Sequence, residues 1–595
     1  MTISPPRGGL VAHHGSTIVE VTDGAGAVPG LGLQTVVLDE GLSELVLTAP
    51  GDAQGTVTVR WRVPVGDGIS YWTADSNARR GLPPDWVPAF PISPYSGAPV
   101  GILYDTSGAT VAAWSLSEQT RSLSVRAGVE EETAYFRLEL RLAVVSAGGP
   151  DWTARLRLDT RGGRFDRTLS EVGAWWREAL GDEALVTPDS AFQPVYSTWY
   201  GFHQELDDRR LLNEVEQAAE LGLDLVIVDD GWQTSDSGRG YGYTGDWEVS
   251  PERFADLRAH VAAANDMGVD YLLWVAPSLA GEHAAATARF SDKLIGWNEE
   301  LRMSVFDIRY PDVREYLVDA CVGLVERFGL AGLKIDFVDN WLLADVPRAG
   351  PGADLDSLDD AVDRFLSTVA HRLEAVRPGV LLEFRQNYIG PRMWRYGNLF
   401  RAADCPLDRV ANRLRTIDLR LMLADRAVHA DPLMWDPGVS AASAAEQLLA
   451  VLFAVPQVSM RLDGLGEEHR AMLQHWLGFV RQHRDTLYRG RLEVSRPDTN
   501  YSLVRAHGAQ ITIAAAYGRD VLPIGPTDAD EIVLVNGSGE DGLVLDVAGG
   551  FELVVLDVQD CFGTSTGVPK ERIRGLHRLA VPRSGTARVR RLASA

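Results

Sequence analysis

The chain has 595 residues, with 57 Lys and Arg against 82 Asp and Glu for a net charge of −25, a balance that argues against nucleic acid and anionic membrane surfaces as partners. Hydrophobic residues make up 45% and charged residues 23%, the mix of a folded protein rather than a disordered one, and the length allows roughly four domains, or fewer if one is a large α/β barrel. Three scattered cysteines, Cys321, Cys405 and Cys561, exclude a disulfide framework or cysteine zinc site and fit a reducing compartment.

In chain order, the opening MTISPPRGGLVAHHG lacks the apolar core of a secretory signal, and no apolar run reaches transmembrane length, so the expected location is cytoplasmic. Up to residue 168 short runs such as GTVTVRWRV and AYFRLELRLAVV alternate apolar and polar side chains, the pattern of an antiparallel β-sandwich. A helix is expected over 169–180, within a linker reaching to 190. From 191 to 491 short apolar strands alternate with amphipathic helices, which predicts a (β/α)8 barrel. Its strands are expected at 195–199, 225–228, 271–275, 332–335, 380–384, 399–402, 427–430 and 457–460, and helices at 208–221, 311–328, 358–376 and 441–453. Residues 492–595 return to alternating runs and predict a small antiparallel β-domain.

The second of these strands runs into LVIVDDGWQ, the fourth into GLKIDF and the sixth into LFRAAD. Acids at the ends of parallel barrel strands share one rim, the arrangement that glycosidic bond cleavage needs. Lys334 and Asp336 lie two apart, so both point inward, and the ammonium favours an ionised carboxylate suited to nucleophilic attack; a structural ion pair is the other reading. Asp404 is the candidate general acid. Asp408 competes for that role, although its place before VANRLRTIDLRLML suits a helix N-cap. Asp229 and Asp230 suit adjacent sugar hydroxyls, with an indole covering the ring's apolar face. Further candidate sugar-binding residues are Trp199, Trp232, Trp274, Lys334, Arg385, Asn387 and Arg401. No metal or other cofactor is expected: His203, His283 and His429 lack metal-ligand spacing. Met434 and Trp435 are read as pocket wall or core.

The run YSTWYGFHQELDDRRLLNEVEQAAELGLDLVIVDDGWQ, with GDWEV, RFADLRAHVAAANDMGVDYLLWVAP and GLKIDF after it, resembles the catalytic barrel of glycoside hydrolase family 36. That family contains α-galactosidases, α-N-acetylgalactosaminidases and the plant raffinose and stachyose synthases, retaining enzymes of clan D. The DDGWQ form and the Arg401-x-x-Asp404 spacing resemble the raffinose-synthase branch. The resemblance implies Asp336 as nucleophile, Asp404 as acid/base, Asp229 and Asp230 on the O4 and O6 side of the sugar, and Lys334 on a ring hydroxyl. It also implies that the loop YWTADSNARRGLPPDW closes the site with Trp72 and Trp86 on the aglycone side; domain-interface packing is the alternative for both tryptophans. A homo-oligomer is compatible with it.

Two family features are replaced. The Glu-Pro-Glu turn after the third strand reads WVAPSLAGEH, and the Cys-Ser-Gly-Gly-Gly loop after the fifth reads EFRQNYIGPRMW, which puts Arg385, Gln386 and Asn387 near the sugar's C2 side. Arg385 is expected to bind a substrate carboxylate, another hydroxyl, or Glu383. The leading expectation is a retaining exo-acting α-galactosidase-like enzyme acting on small glycosides or oligosaccharides. The alternatives are an α-glycosidase of another sugar, a raffinose synthase-like transglycosidase, and a non-catalytic sugar-binding barrel.

Overall fold

The computed structural model describes residues 10–23, 28–77, 80–117, 121–145, 151–343, 346–567 and 571–593. Most of the stretch behind the leader reading, and Ala78 and Arg79 of the N-terminal loop, lie outside them. Among the described residues no helix is long and apolar enough to cross a membrane.

The alternating runs at the N-terminus form two six-stranded sheets. Gln54–Pro64 and Tyr135–Val145 pair antiparallel along their whole lengths. Because successive side chains of a strand face opposite sides, Val57, Val59 and Trp61 of one sheet meet Leu45, Leu47 and Leu156 of the other in a single buried core. Each such side chain contributes about 1.5–3 kcal/mol when removed from water.

Helix α1, Phe165–Leu180, begins four residues earlier than expected and clamps this sandwich to the barrel. Its Trp175 indole donates to Glu44 at 2.7 Å and its Trp176 indole to the Leu116 carbonyl at 2.9 Å. On its other side Gly173 lets α1 lie against the end of helix α2, Arg409–Met422; a Cβ there would come within 2.2 Å of the Met422 carbonyl oxygen. Asp418 of α2 accepts from the Trp72 indole (3.1 Å) and Arg80 (3.0 Å) of the sandwich and from the Tyr501 hydroxyl of the C-terminal region (2.5 Å). One carboxylate thus ties together all three parts of the chain.

The barrel strands are β1 Val195–Ser197, β2 Leu225–Val228, β3 Asp270–Val275, β4 Gly332–Ile335, β5 Leu381–Arg385, β6 Leu399–Arg401, β7 Ala427–His429 and β8 Gln457–Val458. They form one sheet in the order β7-β6-β5-β4-β3-β2-β1-β8, all neighbours parallel. A parallel bridge between His429 and Val455 closes the ring. The first strand stops at Ser197 rather than at 199: Ser459 Oγ accepts the Tyr200 N–H at 2.9 Å, and Trp199–Phe202 coil into one helical turn. Helices Asp208–Leu221, Pro311–Phe328 and Leu358–Val376 match their expected spans, whereas Ala441–Ala450 ends earlier.

The C-terminal region is a seven-stranded sheet packed on a three-stranded one. It departs from pure antiparallel pairing: Ile511–Ala516 runs parallel to Glu531–Asn536, and Val521–Ile524 parallel to Leu543–Val547. From Ile511 to Val547 successive strands alternate between the two sheets, so these in-sheet neighbours are two strands apart in sequence and point the same way.

Candidate active site

The carboxyl ends of β2, β4, β5 and β6 converge on one cleft of ≈ 310 Å³, lined by Asp229, Asp230, Lys334, Asp336, Arg385, Arg401 and Asp404, with Trp199, Tyr241, Trp274 and Phe337 as its aromatic wall. A hollow of ≈ 1370 Å³ beside helix Leu358–Val376 is larger, but it lies outside the barrel, away from the strand ends where parallel barrels place ligands.

Asp336 is buried and held by several donors. Its Oδ1 accepts from Arg385 Nε at 2.6 Å, from the Phe337 N–H at 2.8 Å and, more distantly, from the Tyr388 hydroxyl at 3.4 Å. Among the described residues its Oδ2 accepts only from the Trp274 indole, at 3.2 Å. Burial opposes ionisation here, but the positive charges of Arg385, Lys334 and Arg401 outweigh it and hold the carboxyl well below the usual range.

Lys334 reaches past Asp336 to Asp229 Oδ2 at 2.5 Å, and both side chains are almost fully buried. Asp230, deeper still, accepts side-chain amide hydrogens from Gln204 and Gln233, each at 2.6 Å. Burial pushes its pKa up to about 6 against the pull of those two amides. The floor of the cleft is therefore rich in carboxylate acceptors, each held by donors from the protein.

Asp404 differs in kind. Its side chain is 53% exposed and, among the described residues, takes one ion-pair contact, from Arg401 at 2.8 Å. Burial of part of the carboxyl raises its pKa, but Arg401 and Arg385 pull it below the ordinary value, while Asp336 pushes it up. Arg401 is buried and also pairs with Asp431 just beyond β7. Asp431 accepts in turn from the Cys405 N–H (2.7 Å) and the Tyr200 hydroxyl (2.9 Å). The loop carrying Asp404 is thus fixed from below.

Two expected sugar contacts are not at the cleft. Trp232 is fully buried behind Trp274, its indole donating to the Trp274 carbonyl at 2.9 Å, because the turn after β2 directs it toward β3 rather than the mouth. Asn387 faces the N-terminal sandwich: its Oδ1 accepts the Ser76 N–H at 3.1 Å and its carbonyl the Gly97 N–H at 2.8 Å. Arg385 is not the partner of Glu383, which instead takes Gln457 at 2.6 Å and His429 at 3.1 Å in the barrel core. Trp72 is spent on the Asp418 junction rather than on the aglycone side, and Trp86 stands 64% exposed on the sandwich, outside the cleft lining. Trp435 is core, donating to His469. Asp408 is the cap of α2, accepting the N–H groups of Val410 and Ala411.

Sequence reasoning missed Tyr241 and Phe337 in the wall and Gln204, Gln233, Tyr388 and Asp431 behind it. Phe337 follows Asp336 directly and was within reach of the strand-end argument. Tyr241 lies in the glycine-flanked run RGYGYTG, which gave no signal beyond loop.

Residues 186–383 match the family model Melibiase. The chain is 26% identical over 185 residues to "Alpha-galactosidase 2" of Pediococcus pentosaceus, covering 29% of this chain and 26% of that one. Across that relative and the "Probable alpha-galactosidase C" of Aspergillus oryzae, the chain spans only 26% and 21% of the relatives' length. Among solved structures, the GH36 α-galactosidase AgaA of Geobacillus stearothermophilus superposes with a TM-score of 0.65 at 14% identity, covering 96% of this chain and 86% of that one. A variant of AgaA in complex with stachyose gives 0.66 at 13% identity, covering 97% and 83%. The chain therefore carries a Melibiase family domain at the heart of a three-part fold that it shares with the GH36 α-galactosidases.

Proposed function

We propose that the chain is a retaining, exo-acting α-glycosidase, most closely an α-galactosidase, that removes terminal α-linked sugars from small glycosides or oligosaccharides. The observation that carries this is Asp336: a buried carboxylate kept ionised by three cations, in a cleft whose lining also holds the exposed Asp404. The cleft suits one terminal sugar. Asp229 and Asp230 would accept its hydroxyls, and Trp199, Trp274 and Tyr241 would cover its apolar face. The stachyose complex of AgaA supports an α-galactoside as the first substrate class to try. We divide the chain for this purpose into 1–168, 169–190, 191–491 and 492–595. All three cysteines are unpaired and buried, which fits a reducing compartment and hence imported oligosaccharides as substrates.

In the first displacement Asp336 bonds to the sugar's C1 while Asp404 gives its proton to the departing oxygen. Substrate expels water from around Asp404, and the anionic Asp336 beside it favours the neutral acid. Once Asp336 is esterified that negative charge is gone. Arg401 then favours the Asp404 carboxylate, which serves as base toward water in the second displacement. The test is release of 4-nitrophenol from a panel of aryl glycosides, α-galactoside, N-acetyl-α-galactosaminide, α-glucoside and β-L-arabinopyranoside. Turnover of the α-galactoside that disappears in Asp336→Ala is expected. Activity confined to another sugar would overturn the galactoside part, and silence throughout would overturn hydrolysis.

A further inference from the structure

We propose that Arg385 is a positioning residue for the Asp336 nucleophile: it immobilises Oδ1, so that Oδ2 is the attacking oxygen, and speeds the return of the carboxylate in the second displacement. This rests on the hydrolytic reading above and goes beyond it.

The two oxygens of Asp336 have unequal surroundings. Oδ1 takes the short bond from Arg385 Nε and the bond from the Phe337 N–H, while Oδ2 has only the longer indole contact. A lone pair on Oδ2 is therefore the freer one. The guanidinium is itself held: its carbon lies 5.4 Å from the Phe337 ring centre and 5.1 Å from that of Tyr388, and its Nη1 donates to the Gln386 carbonyl at 3.3 Å. The next residue but one, Asn387, is tied to the sandwich through Ser76 and Gly97, so the backbone carrying Arg385 is braced from a separate domain. A role in capturing an anionic substrate fits less well. The cleft lining holds three cations, Lys334, Arg385 and Arg401, against four carboxylates, Asp229, Asp230, Asp336 and Asp404, and Arg385 is already paired.

The consequence differs between the half-reactions. In the first, an Oδ2 lone pair bonds to C1, the C1–O bond to the aglycone breaks with its electron pair on oxygen, and the proton comes from Asp404. In the second, water gives a proton to Asp404, its oxygen bonds to C1, and the C1–Oδ2 pair returns to Asp336. Negative charge reappears on the carboxylate in that step, where the Arg385 bond to Oδ1 is stronger than in the neutral ester. Without Arg385 the ester becomes a poorer leaving group.

Asp336 is faced by Lys334 and Asp339 from β4 and the turn after it, by Arg385 and Tyr388 from β5 and its loop, by Arg401 and Asp404 from β6 and its loop, and by Tyr241. Removing one of the three cations leaves the nucleophile more basic. The test compares the parent with Arg385→Met and Arg385→Lys on 4-nitrophenyl α-galactoside, or on whichever panel glycoside the parent turns over. For Arg385→Met, kcat should fall by about 10- to 100-fold with KM falling alongside it, a burst of nitrophenol near one equivalent should appear, and the acid limb of kcat/KM should move up by about one pH unit or more. Arg385→Lys, which keeps the charge, should largely restore the acid limb but not the rate. If the variants show the parent's pH limb, no burst and an unchanged KM, the proposal is overturned while the hydrolytic reading stands. The same holds if kcat falls without any of those three signatures. A parent that turns over no glycoside overturns both.

Discussion

The two sides of the cleft handle a carboxylate in opposite ways. Asp336, with a side chain 9% exposed, is locked in place by donors from three directions and surrounded by cations. Asp404 is 53% exposed, and among the described residues its ion-pair contact is with Arg401. A nucleophile in a double displacement needs one charge state and one position, whereas an acid/base must give and take a proton in each cycle. Rigid burial serves the first and would defeat the second. The fold sets the two carboxylates apart by placing Asp336 directly after β4 and letting the chain run two residues, Ala402 and Ala403, beyond β6 before Asp404.

The largest expected effect comes from emptying the locked side. Asp336→Ala should lower turnover on the order of 10⁴-fold or more, whatever the leaving group. Asp404→Ala should cost about 10²- to 10⁴-fold on glycosides with poor leaving groups and much less with 4-nitrophenyl, whose departure needs little protonation. Equal losses across leaving groups would erase the contrast between the two sides. Lys334→Met should leave Asp229 buried without its ammonium and destabilise the protein by about 3–5 kcal/mol, read as a drop in the urea midpoint.

Smaller effects concern proton occupancy. In the free protein Arg401 and Arg385 hold Asp404 below its ordinary value despite partial burial, while under the proposed function a bound sugar would remove water and favour its neutral form. The basic limb of kcat should accordingly lie at higher pH than that of kcat/KM; coincident limbs would argue against the exposed-acid account. Asp230 gives a stability test. Burial raises its pKa to about 6, so the folded state holds that proton more tightly than the unfolded chain. Its stabilising contribution is full below the unfolded pKa near 4 and is lost as pH rises through about 6. Relative to the parent, Asp230→Asn should gain roughly 2–3 kcal/mol between pH 4 and pH 8, since the amide has no proton to lose. A flat difference across that range would mean that Asp230 is not desolvated.

The barrel and its acids were legible in the sequence because short apolar runs alternating with amphipathic helices, and the residues that follow each run, are local signals. Leu225–Val228, Gly332–Ile335 and helices such as Asp208–Leu221 lie where the pattern puts them, and Lys334 with Asp336 follows from strand geometry alone. What surrounds those acids was less legible. Gln204 and Asp431 reach the site from other turns of the barrel, and their proximity depends on ring closure rather than on neighbours in sequence. Trp232 and Trp274 look equivalent as strand-end indoles, yet one faces the cleft and the other lies behind it. Asn387 is two residues past Arg385, but the sandwich claims it, an interdomain contact that no local pattern encodes.

The central claim, that Asp336 attacks the sugar, is tested most directly by trapping the covalent intermediate with a slowly turned-over fluorinated α-galactosyl fluoride, followed by digestion and mass spectrometry. A glycosyl adduct on the peptide containing Asp336, absent in Asp336→Asn, is the predicted result. An adduct on another carboxylate, or full turnover with no adduct in the parent, would contradict it.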